Sequence, residues 1–288
     1  MPAHLRDGTR GEYAADAAVH VAGVVGGAAA VRWMWARAGA SVSEVWAALL
    51  RALAPRDSGS DATDVSGANV LEAAVLVYGV GLMSMLLCSA AYNMLYWTPL
   101  GPALRRFDHA AIFLKIVSGY HPWLAATALK DWEWSPAVLG AVWTVGLTGV
   151  TIKLLLHVHL LSPALQRTVD NLSHAAYLLL GWTGGLIAWP VKHRVEFVPA
   201  ALLLAGGLVY TVGFVFFRWE SLKYQMAIWH ACVLGGAALQ FLALAMELEL
   251  LERFKAGEAT TGDGESAPMG FDAPLHDAIA TAANAAEL

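Results

Sequence analysis

The hydrophobic pattern along the chain is a succession of long, almost unbroken apolar runs joined by short polar links. Windows rich in Ala, Val, Leu and Trp predict helices near 14–36, 68–97, 107–129, 136–157, 171–190, 197–217 and 224–249. Crossing the hydrocarbon core of a bilayer takes roughly 20 mostly apolar residues, so every one of these runs is long enough to span. The expected fold is all-α, a seven-transmembrane-helix bundle. It comprises an N-terminal segment over 1–13, a membrane domain over 14–250 and an acidic, disordered tail over 251–288. The link from 37 to 67 carries SVSEVWAALLRALA, where Val42, Val45, Trp46, Leu49, Leu50 and Leu53 recur at helical spacing. It reads either as an interfacial helix or as a loosely packed connection.

Composition excludes the obvious rival, a soluble helical domain. Aliphatic and aromatic residues make up 58% of the 288 positions and charged residues only 14%, giving a mean hydropathy of +0.53. The formal net charge of -5 comes largely from the C-terminal stretch, and no basic patch points to nucleic acid. Cys88 and Cys232 fall inside apolar runs and supply no disulfide framework. The opening residues, MPAHLRDGTRGEYAADAA, mix both charges and lack the pattern of a cleaved signal, so the first helix is expected to direct insertion. Small residues such as Gly184, Gly185, Gly206 and Gly207 suit close helix packing in lipid.

Charge counting barely orients the bundle. With the N-terminus inside, the inner segments hold Arg6, Arg10, Arg105, Arg106, Lys153, Arg167, Arg218 and Lys223, against nearly as many basic residues outside. Parity is more informative. An odd number of passes puts the starts of helices 1, 3, 5 and 7 and the ends of helices 2 and 4 on one side. Ser89, Asn93, Asp108, His109, His157, His159, His174, His230 and, somewhat deeper, His20 gather there. Ionisable groups inside a membrane cost free energy unless they pair, bind metal or meet water, so this gathering marks a candidate site. Hydrated side chains at the headgroup boundary are the plain alternative, and the better reading for His159. Ser89 with Asn93, and Met226 with His230, each share a helical face at a spacing of i, i+4. Lys115 and Lys153 lie within predicted spans, where snorkelling to the surface is the default expectation.

Several segments carry a resemblance. GEYAADAAVHVAG at 11–23 and RRFDHAAIFLKIVSGYHP at 105–122 resemble, respectively, the opening segment and the Asp-His, Ile-Phe, Gly-Thr-Tyr-Thr-Pro signature of the hemolysin III family. YLLLGW at 177–182, GGLVYTVGFVFF at 206–217 and IWHACVLGGAALQF at 228–241 follow in that family's order. The family is related to the progestin and adipoQ receptors, within a larger group of seven-pass membrane hydrolases that includes alkaline ceramidases. The resemblance implies a cytoplasmic N-terminus and an outer C-terminus, with the plasma membrane as the expected location.

It also implies a zinc site, built from Ser-x-x-x-His late in helix 2, Asp at the start of helix 3 and His-x-x-x-His in helix 7. Ser89, Asp108 and His230 match that pattern. Asn93 stands where the helix 2 histidine belongs, Met226 where the first helix 7 histidine belongs, and Gln240 at a later family histidine. An amide and a thioether are poor substitutes for imidazole toward zinc. The expectation is therefore a degenerate site that does not retain zinc, with no other cofactor. A site rearranged around His230, Asp108 and His157, His174 or His109 is geometrically conceivable.

Two functions follow. The first is a noncatalytic lipid-binding sensor, receptor or regulator, with membrane lipid as its partner and Ser89, Asn93, Asp108, His109, Met226 and His230 as its polar cluster. The alternative is a zinc-dependent amide or ester hydrolase of a membrane lipid such as a ceramide, in which Ser89 and Asp108 serve a metal-activated water. A retinal-binding protein is excluded by helix 7, which has no interior lysine between Lys223 and Lys255.

Overall fold

The computed structural model describes residues 9–39, 67–156, 161–188 and 194–261. The described residues form seven helices and no strand: α1 (Arg10–Arg37), α2 (Gly67–Leu95), α3 (Gly101–Ala125), α4 (Ser135–Leu155), α5 (Pro163–Ala188), α6 (Phe197–Arg218) and α7 (Gln225–Thr261). The expected interfacial segment within 37–67 and the histidines His157 and His159 lie outside the described residues. Helix α7 continues to Thr261, past the point where the acidic tail was expected to begin.

Polar contacts at the helix ends fix the direction of each helix. Glu12, at the start of α1, accepts the backbone N–H of Tyr224 just before α7 at 3.0 Å, and Arg37 at the end of α1 pairs with Glu252 of α7 at 2.7 Å. The first and last helices therefore run parallel. Tyr13 of α1 donates to the carbonyl of Met94, near the end of α2, at 3.2 Å, so α2 runs the opposite way. Arg105 of α3 meets Asp170 of α5 at 2.8 Å, and Lys153 at the end of α4 reaches the same carboxylate at 3.6 Å. Arg218 at the end of α6 donates to Asn171 at 3.1 Å. The directions alternate along the chain.

Five of the helices, α1, α2, α4, α6 and α7, are long and apolar enough to cross a membrane. Helix α3 falls short on composition alone: its 25 residues extend about 37 Å, but they include Arg105, Arg106, Asp108 and Lys115. Those residues are tolerated because α3 is held between α2, α4 and α5 and meets protein instead of lipid. Close approach makes this possible. A Cβ on Gly81 of α2 would lie 1.8 Å from the Ser118 hydroxyl, and one on Gly146 of α4 would lie 2.1 Å from a methyl of Val117, so only glycine lets both neighbours come this near. Gly206 packs less tightly, a Cβ there lying 3.0 Å from the Gly236 carbonyl of α7, whereas Gly207 faces open space.

Two larger apolar cores result, with a small third one around Leu124 and Leu129. Val31, Met34, Val75, Leu82, Leu86, Leu244 and Leu248 join α1, α2 and α7. Phe113, Val117, Val142 and Leu180 join α3, α4 and α5. Val25, Leu155, Leu172, Leu179, Val215 and other large apolar side chains remain exposed around the outside. That surface is suited to lipid, and with the apolar helices it makes the chain an integral membrane protein.

Candidate functional site

The start of α1 is set by a reciprocal cap. The Thr9 hydroxyl accepts the Glu12 backbone N–H at 3.3 Å, and the Glu12 carboxylate accepts the Thr9 backbone N–H at 2.7 Å. The other Glu12 oxygen holds Tyr224, whose φ of 59° is a left-handed conformation that a side-chain-bearing residue adopts only when neighbours enforce it. This one glutamate thereby registers α1 against α7, and the register places Asp16 and His20 opposite His230.

Asp16 Oδ1 lies 2.5 Å from Nδ1 of His230, and Asp16 Oδ2 lies 3.6 Å from Nε2 of His20. The two imidazole rings are 4.3 Å apart, centroid to centroid. All three residues are buried, at 7%, 7% and 8% exposure for Asp16, His20 and His230. The Asp16–His230 hydrogen bond offsets the desolvation of both groups, whereas Nε2 of His20 is buried with no hydrogen-bond partner.

Sequence reasoning grouped His20 and His230 but missed Asp16, the residue that joins them. Asp16 sits four residues before His20 on the same face of an apolar helix. That spacing was legible, but the charge was assigned to the mixed polar leader in front of the span.

The other expected members gather nearby. Ser89 lies beside the Asp108 carboxylate, which is within electrostatic reach of His20 and Arg105. Asn93, 2% exposed, turns its amide nitrogen back onto its own helix, donating to the Ser89 carbonyl at 2.9 Å. Asn93, Asp108, His109, Met226 and His230 all line one cavity of about 1700 Å³ enclosed by the helices.

His174 does not join them as a substitute ligand. It packs among Phe214, Phe217 and Tyr177, elsewhere on the cavity wall. Neither interior lysine snorkels: Lys153 is 4% exposed and paired with Asp170, and Lys115 is 5% exposed.

Zinc can be tested against two donor sets. The set formed by Ser89, Asn93, Asp108, Met226 and His230 offers one imidazole and one carboxylate, too few for the three or four good ligands zinc takes. Asp16, His20 and His230 fit better: their ligand atoms all lie within 4.8 Å of one another. Two imidazoles and a carboxylate are a known zinc donor set, and an ion bound there would supply Lewis acidity and an acidified water. As the side chains stand, the Asp16–His230 separation is that of a hydrogen bond. Ligands about 2.0–2.2 Å from a tetrahedral ion stand roughly 3.3 Å apart. Of the three, only His230 reaches the cavity wall.

An all-helical integral membrane bundle with a large internal cavity and a buried Asp/His cluster at one end defines the class of this molecule. Within that class, the chain belongs to the haemolysin-III related family, whose model matches residues 14–241. It is 31% identical to Hemolysin-3 of Bacillus cereus over 59% of this chain and 73% of that one. It is 27% identical to a Hemolysin-3 homolog of Bacillus subtilis over 58% and 74%. A human protein, monocyte to macrophage differentiation factor, is 25% identical over 58% of this chain and 67% of its own.

Proposed function

We propose that this protein is a seven-pass, lipid-binding membrane sensor or regulator that does not hydrolyse its ligand. Its N-terminus lies in the cytoplasm and its C-terminus outside, in the plasma membrane. The observation that carries the reading is the separation of the buried acid–base cluster from the space a ligand would fill. The cavity is large enough for a long-chain lipid, yet Asp16 and His20 sit behind His230, outside its lining. Hydrolysis needs an activated nucleophile within reach of the scissile bond. Here Asp16 engages His230 directly, Asn93 is turned onto its own helix, and Met226 offers a thioether.

A second reading is favoured by one specific observation, the donor set of Asp16, His20 and His230 with Asp108 close by: a metal-dependent hydrolase of membrane lipids built on a rearranged site. Purified protein in lipid nanodiscs, incubated with ceramide and with a fatty-acyl ester, separates the two. Lipid binding without turnover is expected. Turnover that disappears in His230→Ala would overturn the proposal in favour of the hydrolase.

A further inference from the structure

Deep in the same cavity lies a second polar group, and it is organised in the opposite sense to the first. Lys115 of α3 donates to the Gln240 side-chain oxygen of α7, and its ammonium sits 5.4 Å from the centroid of the Tyr210 ring of α6. No carboxylate among the described residues forms an ion pair with it. Around it, the phenol oxygens of Tyr78 and Tyr210 are buried and have no hydrogen-bond partner. Tyr78 is 2% exposed, and the two phenols lie within electrostatic reach of each other. Tyr78, Lys115, Tyr210 and Gln240 all line the cavity.

The backbone is shaped to hold these side chains. A Cβ on Gly236 would lie 2.8 Å from the Tyr210 ring, and one on Gly206 would lie 3.1 Å from the Gln240 side chain. Three helices, α2, α3 and α6, thus contribute one cation and two unmatched hydroxyls to the wall of one cavity, and α7 adds the Gln240 amide. A buried ammonium is costly without a counter-charge, and buried hydroxyls without partners are costly as well. One oxyanion would satisfy all three. Arg105 and Lys153, among the basic groups at the polar mouth of the cavity, do not share this need, since both already meet Asp170.

We infer that Lys115, Tyr78 and Tyr210 form a receptor for the carboxylate of a single-chain amphiphile whose tail fills the cavity. This rests on the lipid-binding reading and names the ligand class. Lys115 lies fourteen positions beyond Gly101 in α3, about 21 Å along the helix axis. That depth suits a free fatty acid rather than a phospholipid, whose headgroup stays at the interface. The tail runs toward Trp123, Leu124, Leu203 and Val195, which line the apolar end of the cavity.

The test is equilibrium binding of palmitate and of hexadecanol to the full chain in zwitterionic nanodiscs, for wild type, Lys115→Gln, the Tyr78→Phe/Tyr210→Phe double variant and Arg105→Gln. Wild type should prefer palmitate to hexadecanol, and Lys115→Gln should weaken palmitate roughly tenfold to a hundredfold while leaving hexadecanol unchanged. If Lys115→Gln fails to fold, the double tyrosine variant, which loses no existing hydrogen bond, should still lower palmitate affinity by about fivefold or more. Equal binding of acid and alcohol by wild type overturns the carboxylate receptor and leaves lipid binding standing. A palmitate preference lost in Arg105→Gln but kept in Lys115→Gln overturns it in favour of the cavity mouth. Binding of neither compound sinks the lipid-binding reading itself.

Discussion

The two polar clusters of this bundle solve the problem of burial in opposite ways. At one end, Asp16 hydrogen-bonds His230 behind the cavity wall and lies 3.6 Å from Nε2 of His20, which makes no hydrogen bond. Farther along α3, Lys115 has an amide oxygen and an aromatic face for company, beside two phenols with nothing to bond. The first cluster has its acid matched to one base, with only His20 Nε2 left without a hydrogen bond. The second becomes complete only with something the cavity admits. A buried group that has its partner reads as structure, and one that lacks it reads as a ligand site.

The comparison can be broken most forcefully through stability. Asp16→Ala leaves two buried imidazoles without their acid and should cost about 3 kcal/mol, read as a lower unfolding midpoint in detergent. Asp16→Asn keeps a hydrogen-bond acceptor for His230 and should cost about 1 kcal/mol. Lys115→Met should move the opposite way. Removing an uncompensated cation from the ligand-free protein should raise stability by about 1–2 kcal/mol, and a loss of similar size would mean that Lys115 is as fully partnered as Asp16. Glu12→Ala, which loses both the α1 cap and the hold on Tyr224, should lower the unfolding midpoint by less than Asp16→Ala does. Tyr210→Phe is the smallest effect, within about 0.5 kcal/mol, because its hydroxyl has no partner to lose.

Much of this fold was legible in the sequence. Apolar runs marked the helices, and parity placed the starts of α1, α3 and α7 beside the end of α2, where Asp16, Asp108, His230 and Ser89 now lie. What hydropathy obscured is what the helices do once packed. Helix α3 carries too many charges to look like a span because its Arg105, Asp108 and Lys115 face protein and cavity. Lys115 looked like a snorkelling side chain because glycines such as Gly206 and Gly236, read only as packing residues, do not reveal in sequence that they make room for Gln240 and Tyr210 beside it. Asp16 was lost at the boundary between a polar leader and an apolar helix. The helix ends also shifted: α3 begins at Gly101 and α5 at Pro163, earlier than the apolar windows near 107 and 171, because Arg105 and Arg106 in α3 and Gln166, Arg167 and Asp170 in α5 interrupt the apolar pattern near their starts.

The central claim is that the buried Asp16–His230 pair is a structural contact and that its cluster is not a catalytic metal centre. Zinc content per chain, measured on protein purified without chelators, tests it most directly when wild type is compared with Asp16→Asn and with Asn93→His/Met226→His. The account predicts little zinc in wild type and in Asp16→Asn, and a gain toward one ion per chain in the double variant, where two imidazoles are restored to the cavity wall beside Asp108 and His230. Stoichiometric zinc in wild type that is lost in Asp16→Asn would contradict it and make Asp16, His20 and His230 the metal centre.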